Sequence, residues 1–256
     1  MSVCVLGSSA TAQTNWKLIW SDEFSGPANS APDSAKWTYD VGATGWGNRE
    51  LEEYTKSTEN AFLDGDGHLV IRTQRSDAGK ITSARIKTKQ KFTFTYGKVE
   101  ARIRIPFGQG IWPAFWMLGD NIDTARWPSC GEIDIMENIG REPSIVHGTV
   151  HGPGYSGDKG ITAQQALPAG QKLSDDFHVF AAVWTRDSIE FSIDGATYSK
   201  VTPASLPQGA KWVYDHPFFL ILNLAVGGNW PGNPDDSTTF PQTMIVDYVR
   251  VYQAAE

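Results

Sequence analysis

Apolar and polar residues alternate with a period of two along much of the chain. In Lys98–Ile105, valine, alanine and isoleucine fill every second position and charged residues fill the positions between them. Because successive side chains of a strand point to opposite faces, this pattern predicts a half-buried β-strand. Similar runs predict further strands at Leu69–Thr73, Ile81–Thr88, His178–Thr185, Ser188–Ile193, Phe218–Val226 and Met244–Tyr252.

Glycine and proline separate these runs, and helical patterns are nearly lacking in the sequence. The dipeptide Asp194-Gly195 is typical of a two-residue hairpin turn with positive φ at both positions. Pro203–Gln208 allows at most a short helix. Many short strands between turns predict an all-β sandwich rather than βαβ units. Without a repeat or a low-complexity linker, the chain of 256 residues is predicted to form one domain, residues 15–256.

The first residues differ in character from the rest. They combine a short apolar patch with small residues and an Ala-x-Ala step that ends at Ala12, which resembles the tail of a secretory signal. A basic start is missing and the apolar run is short, so residues 1–14 are interpreted as a signal remnant, a truncated leader or a cloning remnant without defined structure. No segment approaches the length of a membrane span. We expect a soluble, exported protein, extracellular or periplasmic.

Charge and cysteine content narrow the classes of partner. The net charge of −7 argues against nucleic acid and anionic membranes, since both attract basic surfaces. The two cysteines, Cys4 and Cys130, are too few for a disulfide framework; we expect no bridge between them and interpret Cys130 as a small buried hydrophobe. Ten tryptophans are a heavy aromatic load; about a third of them are expected to line a groove and the rest to be core anchors.

The most informative segment is Gly131–Asn138, whose sequence is GEIDIMEN. A regular strand would put Glu132 and Asp134 on one face and turn Glu137 inward among isoleucines, at a high cost in desolvation. One inserted residue, a β-bulge near Met136, would return Glu137 to the acidic face. A helix is rejected because it would separate Glu132 from Glu137 and contains two β-branched residues.

Three carboxylates on one face point to acid–base chemistry. Mutual repulsion should raise at least one pKa, as a general acid requires, while a neighbour stays ionised. Retaining glycosidases hold two carboxyls roughly 5–5.5 Å apart and inverting ones roughly 6.5–9.5 Å apart, and the sequence leaves this separation open. A solvated sheet face is the alternative. The aromatic residues of Ile111–Leu118 and Trp127, close to the acids, favour an active site.

In the segment Gly131–Glu137 the chain resembles glycoside hydrolase family 16 in its laminarinase-like, bulged form. The resemblance extends from about Trp20 to near the end of the chain, and several segments match in the right order. Besides Gly131–Glu137 they are Trp20–Phe24, Asn48–Leu51, Tyr96–Arg102, Ile111–Leu118, His178–Thr185, Asn223–Trp230 and Asp247–Tyr252.

The resemblance implies a concanavalin-like β-jelly-roll sandwich of two curved antiparallel sheets, with a substrate cleft on the concave one. It also implies retention of configuration, with Glu132 as nucleophile, Glu137 as acid/base and Asp134 tuning the nucleophile. The expected reaction is hydrolysis of internal β-1,3-glucosidic bonds of a β-glucan. The expected substrate-binding residues are Asn48, Arg85, Trp112, Trp116, Trp127, His151, Asn223 and Trp230.

Several of these positions have a structural alternative. Arg85 could be a surface cation, one of Trp112 and Trp116 could belong to the core, and Asn223 could make a buried hydrogen bond instead of contacting sugar. His147 is interpreted as structural and His151 as a partner of a sugar or a carboxylate. A zinc pair would need a better helix and a third ligand.

The resemblance implies no cofactor for catalysis but a structural calcium, with Glu23, Gly67 and Asp247 at the matching positions. Asp247 could equally be an exposed strand residue. We expect a monomer. The alternatives are mixed-linkage β-1,3-1,4-glucanase or another family specificity, transglycosylation, a non-catalytic glucan-binding lectin, and a calcium-dependent adhesion domain.

Overall fold

The computed structural model describes residues 14–255, and its regular structure is almost entirely β-strand. The strands are β1 (Trp16–Asp22), β2 (Thr38–Asp40), β3 (Glu53–Tyr54), β4 (Ala61–Leu63), β5 (Leu69–Arg75), β6 (Ile81–Ser83), β7 (Arg85–Lys87), β8 (Gly97–Arg104), β9 (Ile111–Gly119), β10 (Glu132–Glu137), β11 (Ile145–His151), β12 (Ile161–Ala166), β13 (His178–Trp184), β14 (Ile189–Ile193), β15 (Ala196–Val201), β16 (Phe218–Val226) and β17 (Gln242–Ala254). One short helix, α1 (Ile122–Ala125), and two 3-10 turns, Gly157–Lys159 and Pro203–Ser205, complete the set.

The strands form two sheets, as the alternating pattern predicts. The larger sheet has the order β15-β14-β13-β8-β17-β5-β6-β3, with β1 paired to β17 and β4 paired to β5. The seven-stranded sheet has the order β12-β11-β10-β9-β16-β7-β2. Neighbouring strands are antiparallel apart from the short parallel pair of β3 and β6. This is the jelly-roll sandwich expected from the sequence.

The core lies between the sheets and draws on the inward residues of both. Val99, Ala101 and Ile103 of β8 are fully buried from one sheet, and Ile133 and Ile135 of β10 from the other. Every residue of β16 is buried, because this central strand has the core on one face and the site described below on the other. Burying a large apolar side chain contributes roughly 1.5–3 kcal/mol, so this layer fixes the position of β10.

One predicted strand is wrong. Ile81–Thr88 is not continuous: β6 belongs to the larger sheet, whereas β7 belongs to the seven-stranded sheet and pairs with β2 and β16. The physical reason is a break in alternation, because Ser83 and Ala84 are consecutive and both fully buried. The Ser83 hydroxyl donates to the Leu224 carbonyl at 2.6 Å and anchors the crossing.

The other predicted strands are confirmed to within two residues at each end. Asp194 and Gly195 have φ values of 49° and 80°, so the tight hairpin turn is also confirmed. The short helix expected in Pro203–Gln208 is a single 3-10 turn. Cys130 is fully buried with a free thiol, whereas Cys4 and the signal-like segment lie outside the described residues. Between residues 14 and 255 no helix is long and apolar enough to cross a bilayer.

Candidate active site

The predicted β-bulge in β10 is confirmed by the register on both sides of the strand. Toward β9, Asp134 pairs with Trp116 and Met136 with Phe115, so two steps on β10 match one step on β9. The register toward β11 also shifts between Asp134 and Glu137. Met136 is fully buried in the core. The extra residue therefore turns Glu137 to the same open face as Glu132 and Asp134.

The start of β10 depends on a glycine. Gly131 has a φ of 72°, and a Cβ at this position would lie 2.9 Å from Cζ of Phe218. Any other residue would meet both the backbone strain and the clash. The tight approach of Gly131 to β16 places Glu132 at the first position of the strand, where it pairs with Leu118 and His151.

Two tryptophan indoles bind the outer two carboxyls. Nε1 of Trp112 donates to Oε1 of Glu137 at 3.0 Å, and Nε1 of Trp127 donates to Oε2 of Glu132 at 3.0 Å. Trp112 belongs to β9, and Trp127 to the loop before β10, where it is 46 % exposed. Each indole N–H stabilises the ionised form of the carboxyl that it contacts.

The middle carboxyl is bound by a histidine from the next strand. Nε2 of His151 lies 3.2 Å from Oδ2 of Asp134 and 3.6 Å from Oε1 of Glu132. Asp134 is only 3 % exposed. One imidazole nitrogen therefore lies within 3.6 Å of an oxygen of each of the first two acids.

Burial raises the pKa of all three acids. The pKa values of Glu132 and Glu137 are each raised to about 8, first by desolvation and next by the charge of Asp134. Desolvation also raises the pKa of Asp134 well above its ordinary value. Acids this close lose their protons in coupled steps. His151 lowers the pKa of both glutamates and Trp112 lowers that of Glu137, but the other nearby charges differ: Arg85 lowers the pKa of Glu132, whereas Glu50 raises that of Glu137. On this difference in charge we assign the first ionisation to Glu132.

The three acids lie in an open cavity of about 310 Å³ on the exposed face of the seven-stranded sheet. Four of the ten tryptophans line it, close to the expected third. Aromatic faces with a few polar groups between them suit the apolar faces of sugar rings. The lining residues are Trp46, Gly47, Asn48, Glu50, Arg85, Trp112, Ala114, Trp116, Leu118, Ile122, Trp127, Glu132, Asp134, Glu137, Asn223 and Ala225.

Arg85 is a fixed part of the cavity wall and not a surface cation. Its guanidinium lies between two indole rings, 5.0 Å from the ring centre of Trp46 and 4.7 Å from that of Trp116. Asp40 of β2 binds Nε of Arg85 at 3.0 Å. Stacking and the ion pair together hold the arginine rigidly at one end of the acids.

Asn223 has both of the roles that the sequence left open. It lines the cavity, and its Oδ1 accepts a hydrogen bond from Nε1 of Trp116 at 2.7 Å. Its Nδ2 donates to the hydroxyl of Tyr54 at 3.0 Å. A single amide therefore connects an indole of the wall to a buried tyrosine behind it. Trp112 and Trp116 both face the cavity, so neither belongs to the core.

Two of the expected substrate-binding residues do not line the cavity. His151 lies behind the acids, where it binds carboxylates. The Trp230 ring packs edge to face on Trp112, with 5.6 Å between ring centres, and on His147, with 4.9 Å. His147 therefore supports an aromatic ring of the site, which fits its structural interpretation.

The sequence reasoning missed Trp46 and Glu50, which line the cavity beside Asn48. They belong to a segment in which Gly45, Trp46, Gly47 and Arg49 all have positive φ. The run Asn48–Leu51, which matches the family, contains Glu50 and could have indicated it as well as Asn48.

Two groups of residues are candidates for binding a metal ion. Glu132, Asp134 and His151 bring ligand atoms within 4.8 Å of one another, the one such group within residues 14–255, but the raised pKa values of the two acids suit proton transfer better. For the expected calcium, the backbone oxygen of Glu23 lies 4.0 Å from a Cβ built on Gly67. The Glu23 carboxylate binds Arg250, and Oδ2 of Asp247 accepts from Arg102 at 2.6 Å.

Comparison with known proteins gives a consistent result. Residues 49–250 match the model of glycosyl hydrolases family 16. The chain is 42 % identical to a beta-glucanase of Rhodothermus marinus, over 98 % of this chain and 91 % of that protein. It is 46 % identical to the catalytic domain of an endo-1,3-beta-glucanase (laminarinase) of Thermotoga petrophila RKU-1, with a TM-score of 0.89 over 95 % of this chain and all of that one.

A second similar structure broadens the range of substrates among the relatives. It is a mutant of a non-specific endo-beta-1,3(4)-glucanase that holds 1,3-beta-D-cellobiosyl-glucose at its active site. Its identity to this chain is 35 %, with a TM-score of 0.84 over 94 % of this chain and 96 % of that one.

Proposed function

The chain belongs to glycosyl hydrolases family 16, and from that membership we propose that it is a retaining endo-glycosidase cleaving internal β-1,3-glucosidic bonds of laminarin-type glucans. The endo-β-1,3-glucanase activity follows from the relatives. The observation that carries the mechanism is the bulge in β10, which brings Glu132, Asp134 and Glu137 to one face of an aromatic cavity.

In the first step, a carboxylate oxygen of Glu132 attacks the anomeric carbon of the sugar. The bond from that carbon to the glycosidic oxygen breaks, and Glu137 gives its proton to the departing oxygen. A glycosyl ester on Glu132 and a shortened glucan result. The raised pKa of Glu137 keeps the needed proton in place at neutral pH.

In the second step, Glu137 is ionised and takes a proton from water. The water oxygen attacks the anomeric carbon, and the carbon–oxygen bond to Glu132 breaks, so that the carboxylate is regenerated and the sugar keeps its original configuration. Enzymes of this family need no catalytic cofactor. Glu137 thus serves as acid and then as base.

The other contacts of the site adjust the two carboxyls. The Trp127 N–H holds one oxygen of Glu132 and leaves the other for attack. His151 contacts both Glu132 and Asp134, and the two neighbours act on Glu132 in opposite directions: the charge of Asp134 raises its pKa and His151 lowers it. The indole of Trp112 favours the ionised state of Glu137 that the second step requires.

The test uses Glu132→Gln, with Glu190→Gln on the distant strand β14 as a matched loss of one carboxylate. We expect the first variant to lose turnover of laminarin while still binding the glucan, and the control to keep both. Anomer-resolved NMR of the first products should show the β form. Hydrolysis by Glu132→Gln, or inversion in the wild type, refutes the mechanism.

Activity toward mixed-linkage glucan is the second candidate, since one relative is a non-specific β-1,3(4)-glucanase. Product sizing over time on laminarin, mixed-linkage glucan and agarose separates these specificities and reveals transglycosylation. Sulfated substrates are disfavoured, because Glu50 and the three acids outnumber Arg85 in the cavity. A lectin or an adhesion domain has no use for three acids bound in this way, and neither would release sugar.

A structural calcium bound by the backbone oxygens of Glu23 and Gly67 and by the Asp247 carboxylate is also proposed. Oδ1 of Asp247 is the oxygen left after the contact with Arg102, so one carboxylate oxygen and two carbonyls would bind the ion. A chelator should lower Tm and leave kcat at low temperature unchanged. A Tm that does not respond to chelator or to added Ca²⁺ contradicts the site.

We further propose that the protein is secreted and monomeric. A polymeric glucan cannot enter a cell intact, and the Ala-x-Ala step before Gln13 fits processing by a signal peptidase. Amino-terminal sequencing of the exported protein should begin at Gln13. Light scattering after gel filtration should give a mass near 28 kDa; a larger mass that does not depend on concentration contradicts the monomer.

A further inference from the structure

Two glutamates, Glu50 and Glu52, form a second carboxyl pair next to the catalytic cavity. Glu52 is fully buried, and Glu50 is 9 % exposed where it borders the cavity. One oxygen of Glu52 accepts from the backbone N–H of Val226 at 2.7 Å. The other, Oε1, has no donor from any described residue. A buried carboxylate with an unsatisfied oxygen is costly unless it carries a proton.

The hydrogen bonds of Glu50 show which of the two carries the charge. Glu50 accepts from Nδ2 of Asn48 at 2.9 Å and from the hydroxyl of Tyr54 at 3.1 Å. The negative charge of Glu50 makes ionisation of Glu52 less favourable. Glu50 has two donors for a negative charge, whereas Glu52 has one backbone donor and complete burial, which raises its pKa to about 9.

The charge on Glu50 acts on the acid/base. Glu50 and Glu137 border the same cavity, and the charge of Glu50 raises the pKa of Glu137. The other titratable groups that affect Glu137 are Glu132, Asp134 and His151 of the same sheet, while Tyr198 approaches from the opposite sheet. Glu52 faces Glu50 and Tyr54. Arg85 lies near Tyr54.

We propose that Glu50 and Glu52 share one proton and act as a positioning pair for the acid/base: Glu52 stays neutral behind the cavity wall, and the single charge held on Glu50 keeps Glu137 protonated. The pair carries a single negative charge, on Glu50. This charge favours the protonated form of Glu137, and no second charge is buried at Glu52. The role in catalysis rests on the function proposed above, but the protonation of Glu52 does not.

The first experiment measures stability and needs no activity. A buried acid with a raised pKa binds a proton that the unfolded chain releases, so its stabilising effect is present below the unfolded pKa and is lost as the pH rises toward the folded pKa. Glutamine has no proton to lose, so the stability of Glu52→Gln should not show this fall with rising pH. Its Tm minus that of the wild type should therefore increase steadily between about pH 5 and pH 9.

The control is Glu59→Gln, an exposed carboxylate of the same segment, for which the difference should be flat. A flat or falling difference for Glu52→Gln overturns the proposal. So does a Glu52→Gln protein that does not fold, because a neutral isostere must be accommodated where a neutral group lies.

The second experiment compares the alkaline limb of kcat/KM on laminarin. Glu50→Gln removes the charge, so the limb should move to lower pH by on the order of half a unit, whatever the change in KM. In Glu52→Gln the limb should stay at the wild-type position. An unchanged limb in Glu50→Gln, or equal shifts in both variants, overturns the role of the pair. A wild type inactive on every glucan refutes the proposed function instead, while the stability test still stands.

Discussion

The hydrogen bond from Trp112 to Glu137 gives a prediction whose sign and size follow from the geometry. The indole N–H donates to Oε1 of Glu137 at 3.0 Å, and a hydrogen bond to a charged acceptor contributes about 1.5–3 kcal/mol. Trp112→Phe keeps an aromatic ring but loses the donor. Since the bond favours the ionised form, its loss should raise the pKa of Glu137 above its value of about 8 by roughly one to two units.

The assay is the pH dependence of kcat/KM on laminarin. The alkaline limb reports loss of the acid/base proton, so in Trp112→Phe it should move to higher pH, opposite to the shift expected for Glu50→Gln. The matched control is Trp46→Phe, which removes an indole N–H of the same cavity that has no acceptor among residues 14–255. Its limb should not move. An alkaline limb in Trp112→Phe that is unchanged or lower refutes the assignment.

Three further predictions concern the frame of the site. Gly148→Ala should lose about 1–3 kcal/mol of stability in urea unfolding, because its Cβ would lie 2.6 Å from the Tyr198 hydroxyl; adding Tyr198→Phe should recover part of the loss, and full stability of the single variant refutes the clash. Arg141→Met should raise KM, because the guanidinium donates to the carbonyl of Trp230 at 3.1 Å. The side chain is otherwise half-exposed, so Tm should change little. An unchanged KM contradicts a role of Arg141 in holding Trp230. Asn223→Ala should lower the free energy of unfolding by about 2–3 kcal/mol, because the Trp116 indole and the Tyr54 hydroxyl lose their partner. A loss below about 0.5 kcal/mol contradicts the importance of these two hydrogen bonds.

The fold was predictable because long strands carry their own period. β8 and β14 largely alternate between buried and partly buried residues over eight and five positions, and β16 is an almost continuous apolar run of nine residues, so all three can be read from the chain alone. β2, β3 and β4 have only two or three residues, so they contain no period, and their pairing depends on distant strands. The prediction of one strand over Ile81–Thr88 was wrong because the chain passes from one sheet to the other at Ser83-Ala84. In the sequence this pair looks like ordinary small residues of a strand.

The same reasoning explains which parts of the site were found. The bulge in β10 could be inferred because a regular strand would bury Glu137 among isoleucines, an evident conflict. No such conflict marks Glu50 and Glu52, which are two apart in a segment with few apolar neighbours and resemble an exposed acidic turn. Their burial is produced by β16, about 170 residues later, whose Val226 N–H binds Glu52. Long-range packing of this kind has no local signature.

The proposed nucleophile and acid/base both belong to one central strand, flanked by β9 and β11. Their separation is therefore set by six residues of backbone and not by the closing of two lobes or a lid. Breathing motions of the surrounding loops leave that separation unchanged. On heating, such an enzyme should lose its chemistry only when the sandwich itself melts, so the inactivation curve and the near-ultraviolet circular dichroism transition should coincide.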